Sequence, residues 1–259
     1  MTRFMIPAER QRTILALLDK QEILSIAELT ALLAVSHMTV RRDIAKLEEK
    51  GEVFSVAGGV QRMQAVREEL GHLVKASQNQ GIKRALGEAC RDRVPPRATV
   101  YLDAGTTLLE VAKVLADRDD LLIVTNDFFI AGYLAEHGKG QLYHTGGLVD
   151  RDNHSCVGDL AARFLRGLNI DLAFISASCW NPRGISSPSQ DKVMVKRAIA
   201  RVARQSVLVC DSSKFGRTGT FMAMETAEFD AVISDPDLPV AYQERLAAED
   251  VEWVAVGAS

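Results

Sequence analysis

Aromatic residues make up only 6% of the 259-residue chain. No stretch approaches the roughly 18 uninterrupted apolar residues that a membrane-spanning helix needs. Residues 1–12 mix charge with Pro7 and lack the apolar run of a secretion signal, so a cytoplasmic protein with no membrane partner is expected. Cysteine is sparse. Cys90, Cys156, Cys179 and Cys210 are scattered, with no C-x-x-C pair and no His at ligand spacing. This pattern argues against a disulfide framework or a metal site, and no cofactor is expected. Cys210 ends the apolar run Val207-Leu208-Val209 and reads as a buried, inert thiol, whereas the role of Cys179 stays open. A large excess of positive charge is also missing. The net charge is −3, and residues 1–62 hold nine Lys or Arg against eight Asp or Glu. Any surface for a polyanion must therefore come from local placement.

What is present is an ordinary globular balance, 47% hydrophobic and 25% charged, in a length that suits two domains. Pro7-Ala8-Glu9-Arg10 opens a helix, and Ile14, Leu15, Leu17 and Leu18 give it an apolar face. Ser25 with Glu28 forms a capping-box pattern for a second helix, buried through Ile26, Leu29, Leu32 and Leu33. Ser36 can cap a third helix that Gly51 stops. Two short helices across a tight turn, the second rich in Arg, describe a helix-turn-helix, although this turn lacks glycine. Val40, Ile44 and Leu47 share one stripe of the third helix and face the core. Ser36, His37, Met38, Thr39, Arg41 and Arg42 are the candidate DNA contacts, with Met38 and Arg42 aimed most directly into the major groove. Alone, Arg41-Arg42 would equally suit a solvated face. Residues 52–56 read as a strand, Ala57-Gly58-Gly59-Val60 as a turn and residues 61–63 as a return strand, which together make a wing.

Residues 64–80 are polar, with few large apolar side chains, and read as a linker or a solvated helix. The expected division is a DNA-binding domain over 1–63, a linker over 64–80 and an effector-sensing domain over 81–259. That last domain alternates strand and helix, with apolar strands near 99–102, 121–124, 141–144, 172–175, 206–209, 231–233 and 253–256. The alternation predicts a Rossmann-like α/β domain with a parallel sheet covered on both faces. Such sheets bind ligands beyond the carboxyl ends of their strands, and polar residues gather there. Asp103, Gly105, Thr106 and Thr107 precede a helix, and its N–H groups and hydroxyls suit a phosphate or carboxylate. Asn126, Asp127, Gly146, Gly147, Asp211, Ser212 and Lys214 complete the rim, which suits an anionic polyol. Arg151 and Lys196 are further candidate anion anchors, and each equally suits a surface residue. The alternative is an isomerase-like enzyme on a sugar phosphate, using Asp103, Asp211 and Lys214 for proton transfer. A winged helix favours a sensor with no catalytic residue.

The run Ser36-His37-Met38-Thr39-Val40-Arg41-Arg42-Asp43-Ile44, through Gly51 to Gly58-Gly59, closely resembles the signature of the DeoR family of bacterial transcriptional regulators. Ala57 departs from it, standing where many members carry His. Residues 103–107, Thr125-Asn126, Gly146-Gly147, Val195-Lys196-Arg197 and residues 211–215 resemble that family's C-terminal sensor domain. The resemblance covers nearly the whole chain. It implies a sensor related in fold to ribose-5-phosphate isomerase, double-stranded operator DNA as partner, repression of a catabolic operon, a phosphorylated sugar or related effector, and a homo-oligomer. Residues 176–184 depart from the family's Gly-x-x-Gly pattern, and Lys192 joins Asp191 where an acidic helix start is usual. A sugar acid, with its carboxylate on Arg183 or Lys192, fits this added basic character.

Overall fold

The computed structural model describes residues 5–257. Its N-terminal part comprises α1 (Pro7–Leu18), β1 (Ile23–Ser25), α2 (Ile26–Leu33), α3 (His37–Glu49), β2 (Val53–Val56) and β3 (Gly59–Arg62). The three strands form an antiparallel sheet in the order β1-β3-β2. At the start of α2 the Ser25 hydroxyl accepts the Glu28 N–H at 3.1 Å, and the Glu28 carboxylate accepts the Ser25 N–H at 2.8 Å. These bonds satisfy two of the donors that a helix start leaves open. Without glycine in the helix-turn-helix turn, Ala34 itself takes the left-handed conformation, φ 51°. Val40, Ile44 and Leu47 of α3 pack with Ile14, Leu29, Val53 and Val60 in one small core. Gly59 lets the wing approach β1, because a Cβ there would lie 2.5 Å from the Leu24 carbonyl oxygen.

Residues 64–79, expected to be a linker or a solvated helix, carry secondary structure. They hold β4 (Gln64–Ala65) and α4 (His72–Ser77) and lie against the larger domain. That domain opens with α5 (Gln80–Arg91), β5 (Thr99–Leu102), α6 (Thr106–Leu115), β6 (Leu122–Thr125), α7 (Phe128–His137) and β7 (Gln141–His144). The hairpin β8 (Leu148–Asp150) and β9 (Ser155–Val157) leads to α8 (Gly158–Arg166) and β10 (Ile170–Ile175). Next come β11 (Cys179–Asn181), β12 (Gly184–Ser187), α9 (Gln190–Val202) and β13 (Ala203–Val209). The chain closes with β14 (Arg217–Thr218), β15 (Phe221–Glu225), β16 (Ala231–Ser234), α10 (Val240–Ala248) and β17 (Glu252–Ala255).

The main sheet is parallel throughout and runs β7-β6-β5-β10-β13-β16-β17. All seven strands expected from the sequence are present in it. Alternate side chains bury into opposite layers. Tyr101, Val124, Ala173 and Leu208 face α8, α9 and α10, while Val100, Leu102, Ile123 and Phe174 face α5, α6 and α7. The sheet is therefore buried on both faces, as apolar parallel strands require. The chain first builds outward from β5 to β7, then returns to β10 on the other side of β5. This reversal is the topological switch point, where neighbouring loops diverge and leave a crevice at the strand ends. Two features were not expected from the sequence: the β8–β9 hairpin and a small antiparallel sheet of β11, β12 and β15.

Candidate functional site

Two surfaces carry the candidate chemistry. The first is α3. Ser36 caps it by accepting the Thr39 N–H at 3.3 Å, and the Ser36 and Thr39 hydroxyls lie 2.9 Å apart. His37, Met38, Arg41 and Arg42 are exposed. Neither Arg41 nor Arg42 has a hydrogen-bond or ion-pair partner among the described residues. Asp43, beside them, does a different job. It is buried, and its carboxylate receives Arg10 Nε at 2.6 Å and Nη2 at 3.3 Å. This pair clamps α3 onto α1. Arg10 and Asp43 lie 33 positions apart, so sequence periodicity gave no sign of it.

The second surface is the switch-point cleft between the ends of β5 and β10. Asp103, just past β5, accepts the Ser176 N–H from beyond β10 at 3.3 Å and is ion-paired with Lys196. Lys196 also donates to the Ser176 carbonyl at 2.6 Å. Across the cleft Lys214 pairs with Asp211 at 3.1 Å. Lys192 meets Glu69 at 2.9 Å and Asp150 at 3.0 Å. Lys75, from α4, lies 3.7 Å from Glu69. Four ammonium groups thus converge on one cleft. Burial and the like charges of Lys192 and Lys214 push the Lys75 ammonium below its ordinary pKa, although Glu69 opposes this.

Two buried polar groups lining the cleft have no hydrogen-bond partner among the described residues. One is the Thr107 hydroxyl, at the start of α6. The other is His72, neither of whose ring nitrogens is bonded. The His72 ring stacks on Phe129 with centroids 4.0 Å apart. Burial and the neighbouring charges of Lys75, His154 and Lys83 depress its pKa to about 4, so it is neutral at physiological pH. A neutral imidazole offers one donor and one acceptor, which suits a hydroxyl-bearing ligand. Unpartnered buried polar atoms are costly, and both of these belong to residues that line the cleft.

The rim expected from the sequence is only partly assembled. Asp103, Gly105, Thr106, Thr107, Asn126, Lys196 and Lys214 line the cleft. Asn126 is committed to holding it together, receiving the Tyr101 hydroxyl at 2.9 Å and donating to the Cys156 carbonyl at 2.9 Å. Asp127 turns inward as the cap of α7, accepting the Phe129 and Ile130 N–H groups and also that of Gly105. Asp211 borders the adjoining groove beneath residues 64–70, and Ser212 is tied to Asp235. Gly146, Gly147 and Arg151 lie outside the cleft. The two glycines turn the chain into β8 with φ 63° and 121°, and Arg151 is exposed on the β8–β9 turn. Lys192 is in the cleft, but Arg183 faces the N-terminal domain, where a Cβ on Gly51 would sit 3.3 Å from it. Sequence reasoning missed Glu69, His72 and Lys75. Their only signal was a weak one, a His and a Lys three positions apart on one helical face.

The cleft is joined physically to the DNA-binding part. Lys214 is followed by Phe215, whose ring meets Phe54 of β2 edge-on at 5.3 Å. Gly216 lies so close to Phe54 that a Cβ there would come within 2.4 Å of the ring. Beside it, Gln64–Ala65 pairs in parallel with Arg217–Thr218.

The DeoR-like helix-turn-helix domain profile matches residues 10–66, and the DeoR C terminal sensor domain profile matches residues 78–236. A protein of Haemophilus influenzae, described as an uncharacterized HTH-type transcriptional regulator, is 46% identical over 256 residues, covering 99% of this chain and 100% of its own length. The uncharacterized HTH-type transcriptional regulator YgbI of Escherichia coli K12 is 49% identical, over 95% of this chain and 97% of its own length. A putative aga operon transcriptional repressor of Escherichia coli O157:H7 is 30% identical, over 96% and 94%. Among solved structures, ribose 5 phosphate isomerase A from Neisseria gonorrhoeae superposes on 54% of this chain and 55% of its own, with a TM-score of 0.39 and 15% identity.

Proposed function

Because the chain belongs to the DeoR family of transcriptional regulators, we propose that it represses a sugar or sugar-acid catabolic operon and is released from its operator by a phosphorylated sugar or sugar acid. The observation that carries the effector reading is the cleft itself: four lysines and two unpartnered polar groups, His72 and Thr107, around one space at the switch point. In this reading the phosphate sits on the Thr106 and Thr107 N–H groups at the start of α6, where the helix dipole favours negative charge. Lys196 and Lys214 supply countercharge, and His72 takes a hydroxyl. Gly146, Gly147, Arg151 and Ser212 are left out of the effector set. Met38, Arg41 and Arg42 read base edges, with Ser36, His37 and Thr39 beside them at the groove.

The sensor reading is preferred here to an isomerase. The candidate acid–base groups of an isomerase are already spent as ion pairs, Asp103 with Lys196 and Asp211 with Lys214. The proposed homo-oligomer uses the β7 edge of the main sheet, the end of its strand order, where Tyr143 is exposed. A monomer mass in light scattering would remove it. The effector reading is tested by calorimetry on wild type and Thr107→Val with a panel of sugar phosphates and sugar-acid phosphates. Binding that Thr107→Val weakens at least tenfold supports the site, and equal binding by both proteins places the ligand elsewhere.

A further inference from the structure

Each acid paired with a cleft lysine can be asked whether it could leave. Asp103 follows directly on β5, its N–H donating to the Phe174 carbonyl, Asp211 stands two residues past the end of β13, and Asp150 ends β8, so all three are held at strand ends. Glu69 is different. It stands on the irregular stretch between β4 and α4 and reaches into the cleft from outside the sheet. Its carboxylate holds Lys192 at 2.9 Å, accepts the Ser187 hydroxyl at 2.9 Å and faces Lys75 at 3.7 Å. Burial alone would raise its pKa, but Lys192 and Lys75 outweigh that and hold it at about 2. It is therefore ionised throughout the physiological range. Around it lie the partners that a carboxylate seeks: two ammonium groups and a hydroxyl. The phosphate end proposed above lies at Thr106 and Thr107, on a different wall of the same cleft.

We infer that the Lys75–Lys192 pair is a second anion subsite, which takes the carboxylate of a ligand that also carries a phosphate, and that Glu69 is the tethered anion this carboxylate displaces. The inference rests on the effector reading above and narrows it to sugar-acid phosphates. With Glu69 in place the four lysines meet four acids, so an incoming carboxylate must expel one, and Glu69 is the one not anchored by a strand. Its release has a route to the DNA-binding part. Five and four residues before it, Gln64 and Ala65 pair with Arg217 and Thr218, and the stretch continues directly from wing strand β3.

The test is calorimetry on the full chain with two matched pairs, each differing only by a carboxylate in place of a terminal hydroxymethyl group. The pairs are 4-phosphoerythronate against erythritol 4-phosphate, and 6-phosphogluconate against glucitol 6-phosphate. In wild type the acid of at least one pair binds tenfold or more tighter than its alditol. Lys192→Met abolishes this preference, and Glu69→Gln enlarges it about fivefold or more. If alditol phosphates bind and neither acid is preferred, the second subsite falls while the effector reading stands. A preference that survives Lys192→Met, or shrinks in Glu69→Gln, also overturns the inference. If none of the four ligands binds, the effector reading itself fails. If Glu69→Gln does not fold, the wild-type and Lys192→Met comparison still decides the Lys75–Lys192 subsite, and Glu69→Ala tests the displaced anion with the same expected gain.

Discussion

Arg42 projects a guanidinium with no partner among the described residues from the exposed side of α3, while Val40, two residues earlier, is fully buried. Removing Arg42 therefore costs DNA contacts and not the fold. Arg42→Ala should lower specific operator affinity by about 1–3 kcal/mol, roughly 5- to 150-fold, with an unchanged melting curve. Unaltered affinity in a mobility-shift titration would take Arg42 out of the contact set. His72 makes a second residue-scale prediction. Its folded pKa of about 4 lies below the ordinary value of 6.5, so the unfolded chain binds more protons between them. Stability from a neutral His72 is fully present above pH 6.5 and is lost as pH falls through 4. His72→Phe, which keeps the stack on Phe129, should flatten the melting temperature of the protein across that window relative to wild type. Parallel pH profiles for the two proteins would contradict the assignment.

At the scale of elements, Ala34 occupies a left-handed position that favours glycine, at a cost of about 1–2 kcal/mol. Ala34→Gly relieves that strain but loosens the unfolded chain, so a net gain of up to about 1 kcal/mol is expected in chemical denaturation. A loss of stability would mean that the Ala34 methyl packs usefully. The same turn shows what could be read from the sequence. The capping box at Ser25 and Glu28, the core stripe Val40, Ile44 and Leu47, and all seven parallel strands follow from local pattern. Asp103, Thr106, Thr107 and Lys214 were legible as cleft residues because a parallel strand fixes what its carboxyl end presents. Residues 64–79 were not legible, since their place is set by contacts such as Glu69 with Lys192, 123 positions away. Asp127 and Asn126 look alike in sequence as rim polars, yet one caps α7 and the other clasps Tyr101 to β9. The strands β11 and β12, only three and four residues long, are too short to show a period.

At the scale of the whole molecule, the contact between Phe54 and the Phe215-Gly216 pair is where a ligand-dependent shift in the cleft would reach the wing. Gly216 has φ 77° and no room for a side chain against Phe54. Gly216→Ala should therefore displace the wing from its seat. Calorimetry should show effector binding nearly as in wild type, while operator affinity no longer responds to effector. A full response in that variant would mean that coupling runs by another path. A ligand changes DNA affinity only through its differential affinity for the two arrangements, which typically amounts to about 1–3 kcal/mol. The most direct measurement of the central claim is a fluorescence-anisotropy titration of the chain against DNA from upstream of the operon beside its gene, with and without 1 mM 4-phosphoerythronate or 6-phosphogluconate. At least one of them should give a 5- to 150-fold weaker operator complex, with no such change in Lys192→Met. Operator affinity that is unchanged or raised by both ligands would contradict that claim.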